Sequence, residues 1–191
     1  MKKLTTLFLK VKELFRDSLF SSSEPYYRIV EINTNTQEIV FRVKNKAVLL
    51  KYRFSEAIAD QAIINGLSST DACWLGGYYG RALRASREGR SALKKVKSMT
   101  FLLSSKNGRY TVAFQNRNGE IGYYDKKLRH EIIEHPLTIA ANPAIVSEFD
   151  PSQACYIGML AGAELEKALA SGKNRDQVDV LLRKPPKLRI I

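Results

Sequence analysis

β-Branched and aromatic residues cluster in two short runs, 27–33 and 37–43, on either side of Asn33-Thr34-Asn35-Thr36. Short apolar runs broken by polar turn formers predict a β-hairpin. The same layout returns at 109–115 and 120–125, around Asn116-Arg117-Asn118-Gly119. That turn is the stronger signal, because Asn-Gly readily takes positive φ. Residues 47–53 have the composition of a third strand, whereas 128–134 look more helical, so a third strand in each half is left open. From Ser55 to Asn65 the apolar spacing changes to that of a short helix. Ser69/Thr70 in the first half and Asp150-Pro151 in the second supply the start of another.

The two helices that follow carry nearly the same pattern, DACWLGGYYGRAL at 71–83 and QACYIGMLAGAEL at 153–165. The register that lays one motif over the other aligns much of the remaining chain without a gap. AIADQAIINGLSSTDACWLGGYYGRAL (57–83) lies over IAANPAIVSEFDPSQACYIGMLAGAEL (139–165), TQEIVFR (36–42) over NGEIGYY (118–124), and YRIVEI (27–32) over RYTVAF (109–114). LKVKELFRDSLFSSS (9–23) lies loosely over SALKKVKSMTFLLSS (91–105). Self-similarity at one period marks a repeated supersecondary unit, and two copies suggest a pair about a pseudo-two-fold axis. The expected fold is α+β: an internally duplicated helix, β-hairpin and two-helix unit. Its parts are a first repeat unit, 1–82, a second unit, 83–165, sharing its core, and a basic C-terminal extension, 166–191.

Steps of three and four place Ala72, Gly76, Gly80 and Leu83 on one helical stripe, and Ala154, Gly158, Gly162 and Leu165 on another. A glycine inside a helix costs about 1 kcal/mol relative to alanine, so two per helix point to a compensating close approach of backbones. A phosphate cradle would need its glycines in a loop ahead of the helix, usually with a following Lys-Ser/Thr, and neither is present. The stripe is therefore read as packing. Crossing there would bring Cys73 near Cys155, and Trp74 and Tyr156 are expected as core or interface aromatics.

With 191 residues, 45% of them hydrophobic, the chain is long enough for a real core. No apolar stretch reaches the roughly 18–20 residues of a membrane span, so no integral membrane association is expected. MKKLTTLFLKVKELFRDSLF begins like a signal peptide, but Lys10, Lys12 and Glu13 interrupt its apolar part. Leu4, Leu7, Phe8, Val11, Leu14, Phe15 and Leu19 stand at helical spacing, and the match to 91–105 favours a helix packed on the fold over a peripheral membrane anchor. The general character is that of a cytoplasmic, bacterial chain. Two cysteines make no disulfide framework and read as small buried hydrophobes.

Thirty-one Lys and Arg against 19 Asp and Glu give a net charge of +12, which favours a polyanionic partner. Arg81, Arg84, Arg87, Arg90, Lys94, Lys95 and Lys97, with only Glu88 among them, form the densest basic segment and the candidate nucleic-acid-binding surface, where arginines can grip phosphates. The segment is expected at a helix end and in the linker between the copies. The counterpart at 163–176 carries Glu164 and Glu166 instead. In the extension, Pro185-Pro186 enforces an extended course; Arg183, Lys184, Lys187, Leu188, Arg189 and Ile190 are candidates for docking to a protein partner or adding to a sheet edge.

HEIIEH, 130–135, is the one metal-like stretch. His130 and His135 are five residues apart, about 140° apart on a helix and on opposite faces of a strand, so they do not readily share an ion. No cofactor, metal or catalytic residue is assigned. The sequence thus points to a non-catalytic nucleic-acid-binding or nucleoprotein-complex subunit, or alternatively to an adaptor or assembly subunit that meets an acidic protein.

Overall fold

In the computed structural model, residues 24–98, 108–172 and 187–189 are described. The first half runs through strands β1 (Tyr27–Asn33), β2 (Glu38–Val43) and β3 (Leu49–Arg53), then helices α1 (Phe54–Ala59), α2 (Gln61–Gly66) and α3 (Ser69–Ala85). Helix α4 (Arg87–Ser98) leads to the second half, with strands β4 (Tyr110–Gln115), β5 (Ile121–Asp125) and β6 (His130–Glu134). Helices α5 (Pro136–Ala140), α6 (Pro143–Val146) and α7 (Pro151–Ala170) follow, and strand β7 (Lys187–Arg189) lies near the end of the chain. The protein is α+β, with one antiparallel sheet ordered β1-β2-β3 and another ordered β4-β5-β6-β7.

Local chemistry accounts for most boundaries. Asn33 Oδ1 accepts hydrogen bonds from the Asn35 and Thr36 amides, and Asn116 Oδ1 from those of Asn118 and Glu120, closing the two hairpin turns. Gly119 takes φ +80°, the conformation Asn-Gly favours. Tyr27 pairs with Val43 and Tyr110 with Asp125, and both ladders bulge, at Val30 and at Ala113. Tyr27 thus corresponds to Tyr110 and not to Arg109, because the second hairpin is shorter by a single position. The ungapped alignment of 27–32 over 109–114 is corrected accordingly. Residues 130–134 form a strand, not a helix, pairing with β5 from Ile121↔Glu134 to Asp125↔His130. Their polar residues suit a solvated helix, but Ile132 and Ile133 are buried in the core and tertiary pairing prevails. The expected helix at 55–65 is two short ones, broken at Asp60, whose carboxylate accepts from the Ala62 amide and caps α2. The cap of α3 is Ser68, one residue ahead of the expected pair, and its Oγ accepts from the Asp71 amide at 3.0 Å.

Three buried clusters fill the interior, two large ones and a small third of Leu137, Ala161 and Ala168. Tyr27, Ile39, Phe41, Phe54, Ile63 and Leu75 centre the first; Val112, Ile121, Tyr123, Ile139, Phe149 and Ile157 centre the second. The cysteines are exchanged between them, Cys155 of α7 lying in the first and Cys73 of α3 in the second.

That exchange follows from how α3 and α7 cross. A methyl group added at Gly76 would fall on the Cys155 carbonyl oxygen, and one at Gly158 on the Cys73 carbonyl. Likewise Gly80 faces the Met159 carbonyl and Gly162 the Gly77 carbonyl. Each helix thus presses its glycines onto the other's backbone, and the contact leaves no room for a side chain.

Candidate functional site

The basic segment is helical almost throughout. Arg81 and Arg84 occupy the last turns of α3, Ser86 caps α4 by accepting from the Gly89 amide at 2.9 Å, and the remaining candidates lie on α4. The sequence reading of a linker is corrected to a second helix, which Gly89 makes feasible: a methyl there would strike the Leu83 backbone at the tight α3–α4 turn. Positions 87, 90, 94 and 97 recur at the three- and four-residue steps of one helical stripe, whereas Leu93 is buried in the second cluster.

Arg87 and Arg90 are exposed and Arg84 is half-buried; Arg90 Nη1 donates to the Arg84 carbonyl at 3.4 Å. Arg81 is different. Its Nε donates to Glu166 Oε2 at 3.3 Å, joining α3 to α7. A carboxylate that already holds it leaves less of its charge for an external phosphate. Glu166 thereby answers a cation of the first half with an anion of the second.

Residues 24–98 carry 13 Lys and Arg against seven Asp and Glu, and residues 108–172 carry six against eight. The excess of the first stretch comes mostly from α4, whose Arg87, Arg90, Lys94, Lys95 and Lys97 stand against Glu88 alone.

Beside Arg81 lies an open cleft of about 330 Å³ between α3 and α7, lined by Trp74, Tyr78, Ala161 and Leu165 and floored by Gly77 and Gly158. Trp74, expected in the core or at an interface, is 57% exposed, while Tyr156 at the matching place on α7 is 5% exposed. Sequence alone could not separate these aromatics, because both stand at the same position of the same motif.

The other candidates are dispersed. Lys187, Leu188 and Arg189 form β7, which extends the molecule's own second sheet by pairing with Ile133, Ile132 and Glu131 of β6. Arg183, Lys184, Ile190 and the N-terminal helix expected within 1–23 lie outside the described residues. His130 begins β6 opposite Asp125, whereas His135 caps α5, its Nδ1 accepting from the Leu137 amide at 3.3 Å. Among the described residues no group of three or more His, Cys, Asp or Glu side chains is placed to hold a metal ion. Cys73 and Cys155 are buried thiols, each pushed up to about 12 by loss of solvent; for Cys155 the neighbouring Cys73 adds to the shift. Among the described residues no helix is long and apolar enough to cross a membrane. No protein-family model matches the chain, and no curated protein or solved structure is found similar to it.

Proposed function

We propose that the chain is a non-catalytic nucleic-acid-binding or nucleoprotein-complex subunit. In this reading it is an internal duplication about a pseudo-two-fold axis between α3 and α7, with phosphates held by the end of α3 and by α4. The recurring order of strands and helices, the paired bulges at Val30 and Ala113, and the reciprocal glycine contacts support the duplication. The observation that carries the binding reading is the concentration of cations at helical spacing on α4, with Arg87 and Arg90 exposed. Arginines free of carboxylate partners can grip phosphate oxygens with two N–H groups. Arg84, Arg87, Arg90, Lys94, Lys95 and Lys97 carry this role, with Arg81 held back by Glu166.

The test is binding of a fluorescent DNA duplex and a single-stranded RNA at several salt concentrations. Replacing Arg84, Arg87 and Arg90 by Glu is expected to weaken binding at least about tenfold and to lower the log–log salt slope by roughly three, near one unit for each phosphate left without its arginine. Arg81→Ala is expected to do much less. Unchanged binding in the triple variant overturns the assignment. Salt-sensitive co-purification of a polypeptide without nucleic acid would replace it with the adaptor reading.

A further inference from the structure

The two sheets differ by one strand. In the second, β6 carries β7 on its outer side; in the first, no strand among the described residues lies beyond β3. The registers match the two positions. Ile39 pairs with Tyr52 as Ile121 pairs with Glu134, which sets Leu49, Leu50 and Lys51 where Glu131, Ile132 and Ile133 stand. Those three residues of β6 are the ones β7 pairs with. Ile132 and Ile133 are buried, whereas Leu50 is half-buried and Leu49 is 61% exposed, with Val48 beside it at 44%. The backbone of β3 is turned for a further strand. Val43 N–H donates to the Val48 carbonyl, and Phe54 N–H to the Gln37 carbonyl. Opposed pairs in an antiparallel ladder are bonded alternately, so residues 48, 50, 52 and 54 turn their polar groups to β2, and 49, 51 and 53 turn theirs outward. The Arg53 amide is taken by Glu56 Oε2 at 3.1 Å. Leu49 and Lys51 thus offer N–H and C=O groups along the edge, the groups an added strand pairs with.

We propose that the outer edge of β3 is a docking site for an extended acidic segment of a partner protein, which adds to the first sheet as β7 adds to the second. The sign of the charge chooses this occupant. β7 is a basic strand, Lys187-Leu188-Arg189, and it lies on an edge that carries Glu131. β3 carries Lys51 and Arg53 instead, and the solvent face of its sheet adds Arg28 and Arg42 against Glu31 and Glu38. Glu38 takes Lys51 Nζ at 2.8 Å, which leaves the face as a whole positive. A strand laid antiparallel on β3 places alternate side chains beside Lys51 and Arg53, where carboxylates are favoured. The intervening ones fall beside Leu50 and Tyr52, where apolar groups extend the core. The chain's own basic strand is disfavoured there, because it sets cations beside Lys51. Two β3 strands in full overlap set Lys51 against Lys51, on chains that each carry a net +12. A lysine that guards an edge in this way rejects copies of its own chain and still admits an acidic strand. The site is separate from the phosphate contacts on α4, and it takes from the two-fold reading only the matching of β3 with β6, which the registers give.

The probe is a capped, fluorescent peptide of alternating Glu and Val, with one of alternating Lys and Val as control, added to the full chain at moderate salt. Anisotropy reads binding, and amide hydrogen exchange is read by NMR at Leu49 and Lys51, with Leu50 and Tyr52 as references already turned to β2. Docking predicts saturable binding of the acidic peptide and exchange at Leu49 and Lys51 slowed roughly tenfold or more at saturation. Attraction to positive charge alone would raise the anisotropy and leave those amides as fast as before. Leu49→Pro removes an outward N–H and no bond to β2, a change an edge strand tolerates, and is expected to weaken the acidic peptide at least about tenfold. Should that variant fail to fold, Lys51→Glu is expected to abolish the preference for the acidic peptide and to favour the basic one. The variant with Glu at 84, 87 and 90 is expected to keep the slowed exchange at Leu49 and Lys51, so failure here and failure of the phosphate-binding reading are told apart. Leu49 and Lys51 amides protected without peptide overturn the proposal, the edge being covered by this chain itself or, where protection grows with protein concentration, by a second copy. Absence of binding overturns it, as does binding without slowed exchange or binding undiminished in both variants. A DNA duplex that displaces the peptide and is itself weakened by Lys51→Glu would assign the face to nucleic acid instead.

Discussion

Where the first sheet sets Phe41 beside Tyr52, with ring centroids 6.0 Å apart, the second sets Tyr123 and Glu134 at the matching positions, joined by a 2.6 Å hydrogen bond from the phenol to the buried carboxylate. Where the first ends β2 on Val43, the second ends β5 on Asp125, fully buried and held by Arg109 through Nη2 at 2.6 Å and Nε at 3.1 Å. The two halves share a layout of strands and helices but not the means of filling it. Both halves pack aromatic rings, Tyr27, Phe41 and Tyr52 in the first and Tyr110, Tyr123 and Phe149 in the second, but among the described residues only the second also buries carboxylates, which must be answered by hydrogen bonds. What does not differ is the crossing of α3 and α7, because each helix is the other's neighbour and a change on either is felt by both.

The largest effects are therefore expected at the crossing, and they should be alike in the two halves. Gly76→Val and Gly158→Val each drive a side chain into a backbone carbonyl and are expected to cost more than about 4 kcal/mol, enough to leave little folded protein. Gly77→Ala is the control. Its added methyl would come no nearer than 3.7 Å to the Gly158 carbonyl, so alanine's better helix propensity is expected to stabilise by up to about 1 kcal/mol. Urea unfolding reads all three. A tolerated Gly158→Val beside a lethal Gly76→Val would break the equivalence of the two helices.

Next in size are the buried polar groups peculiar to the second half. Asp125 Oδ1 also accepts from the Lys127 and Leu128 amides, at 2.8 and 3.0 Å, and so closes the β5–β6 turn, in which Arg129 has φ +57°. Asp125→Ala is expected to cost about 2–4 kcal/mol, since it orphans two amides and a half-buried guanidinium. Val43→Ala in the first half removes two methyl groups and is expected to cost about 1–2 kcal/mol. Burial pulls the Asp125 carboxyl upward, but the hydrogen bonds from Arg109, Leu128 and Lys127 outweigh it and leave the group below its ordinary 3.8. A depressed carboxyl contributes stability that is present above the unfolded value and lost as pH falls through the folded one. Stability is accordingly expected to drop below about pH 4 in the wild type, and to drop less in Asp125→Asn. Equal acid sensitivity of the two would remove Asp125 as a source of that loss.

Tyr123→Phe makes the second half resemble the first at one position only. It leaves Glu134 buried without the phenol, and about 1–3 kcal/mol should be lost. Adding Glu134→Tyr recreates the Phe41–Tyr52 pair in the second sheet and is expected to recover part of that loss, which a double-mutant cycle in urea would measure. Failure to recover would mean that the surroundings, and not the pair, dictate which chemistry each sheet accepts.

What was legible in the sequence follows the same division. The hairpins, the motif helices and the glycine stripe could be read because each rests on local spacing or on one residue's conformational freedom: Gly119 at a turn, Gly76 and Gly158 at a crossing. Strand β6 could not, since HEIIE has no clear period and only pairing with β5 fixes it. The Arg81–Glu166 pair joins distant parts of the chain, and the burial of Tyr156 against the exposure of Trp74 depends on what packs over each; neither is written in the local pattern. The cations at 81–97 stood out as a charge run, but that they lie on a second helix follows from the tight turn at Gly89.

The smallest effect tests the equivalence where the halves are most alike. Cys73 and Cys155 hold matching positions and are both buried, so neither is expected to react with a disulfide reagent in the folded protein. Moving a thiol from its ordinary 9.0 to about 12 lowers the thiolate fraction at neutral pH about a thousandfold, and the thiolate is the reacting species. Thiol titration at pH 8 should then follow global unfolding, both cysteines appearing together as urea is raised. Because each lies in the core of the opposite half, early exposure of Cys73 alone would report loosening of the second cluster, and early exposure of Cys155 loosening of the first. Simultaneous exposure would instead mean that the glycine crossing binds the two cores into one cooperative unit, despite the different chemistry with which each is filled.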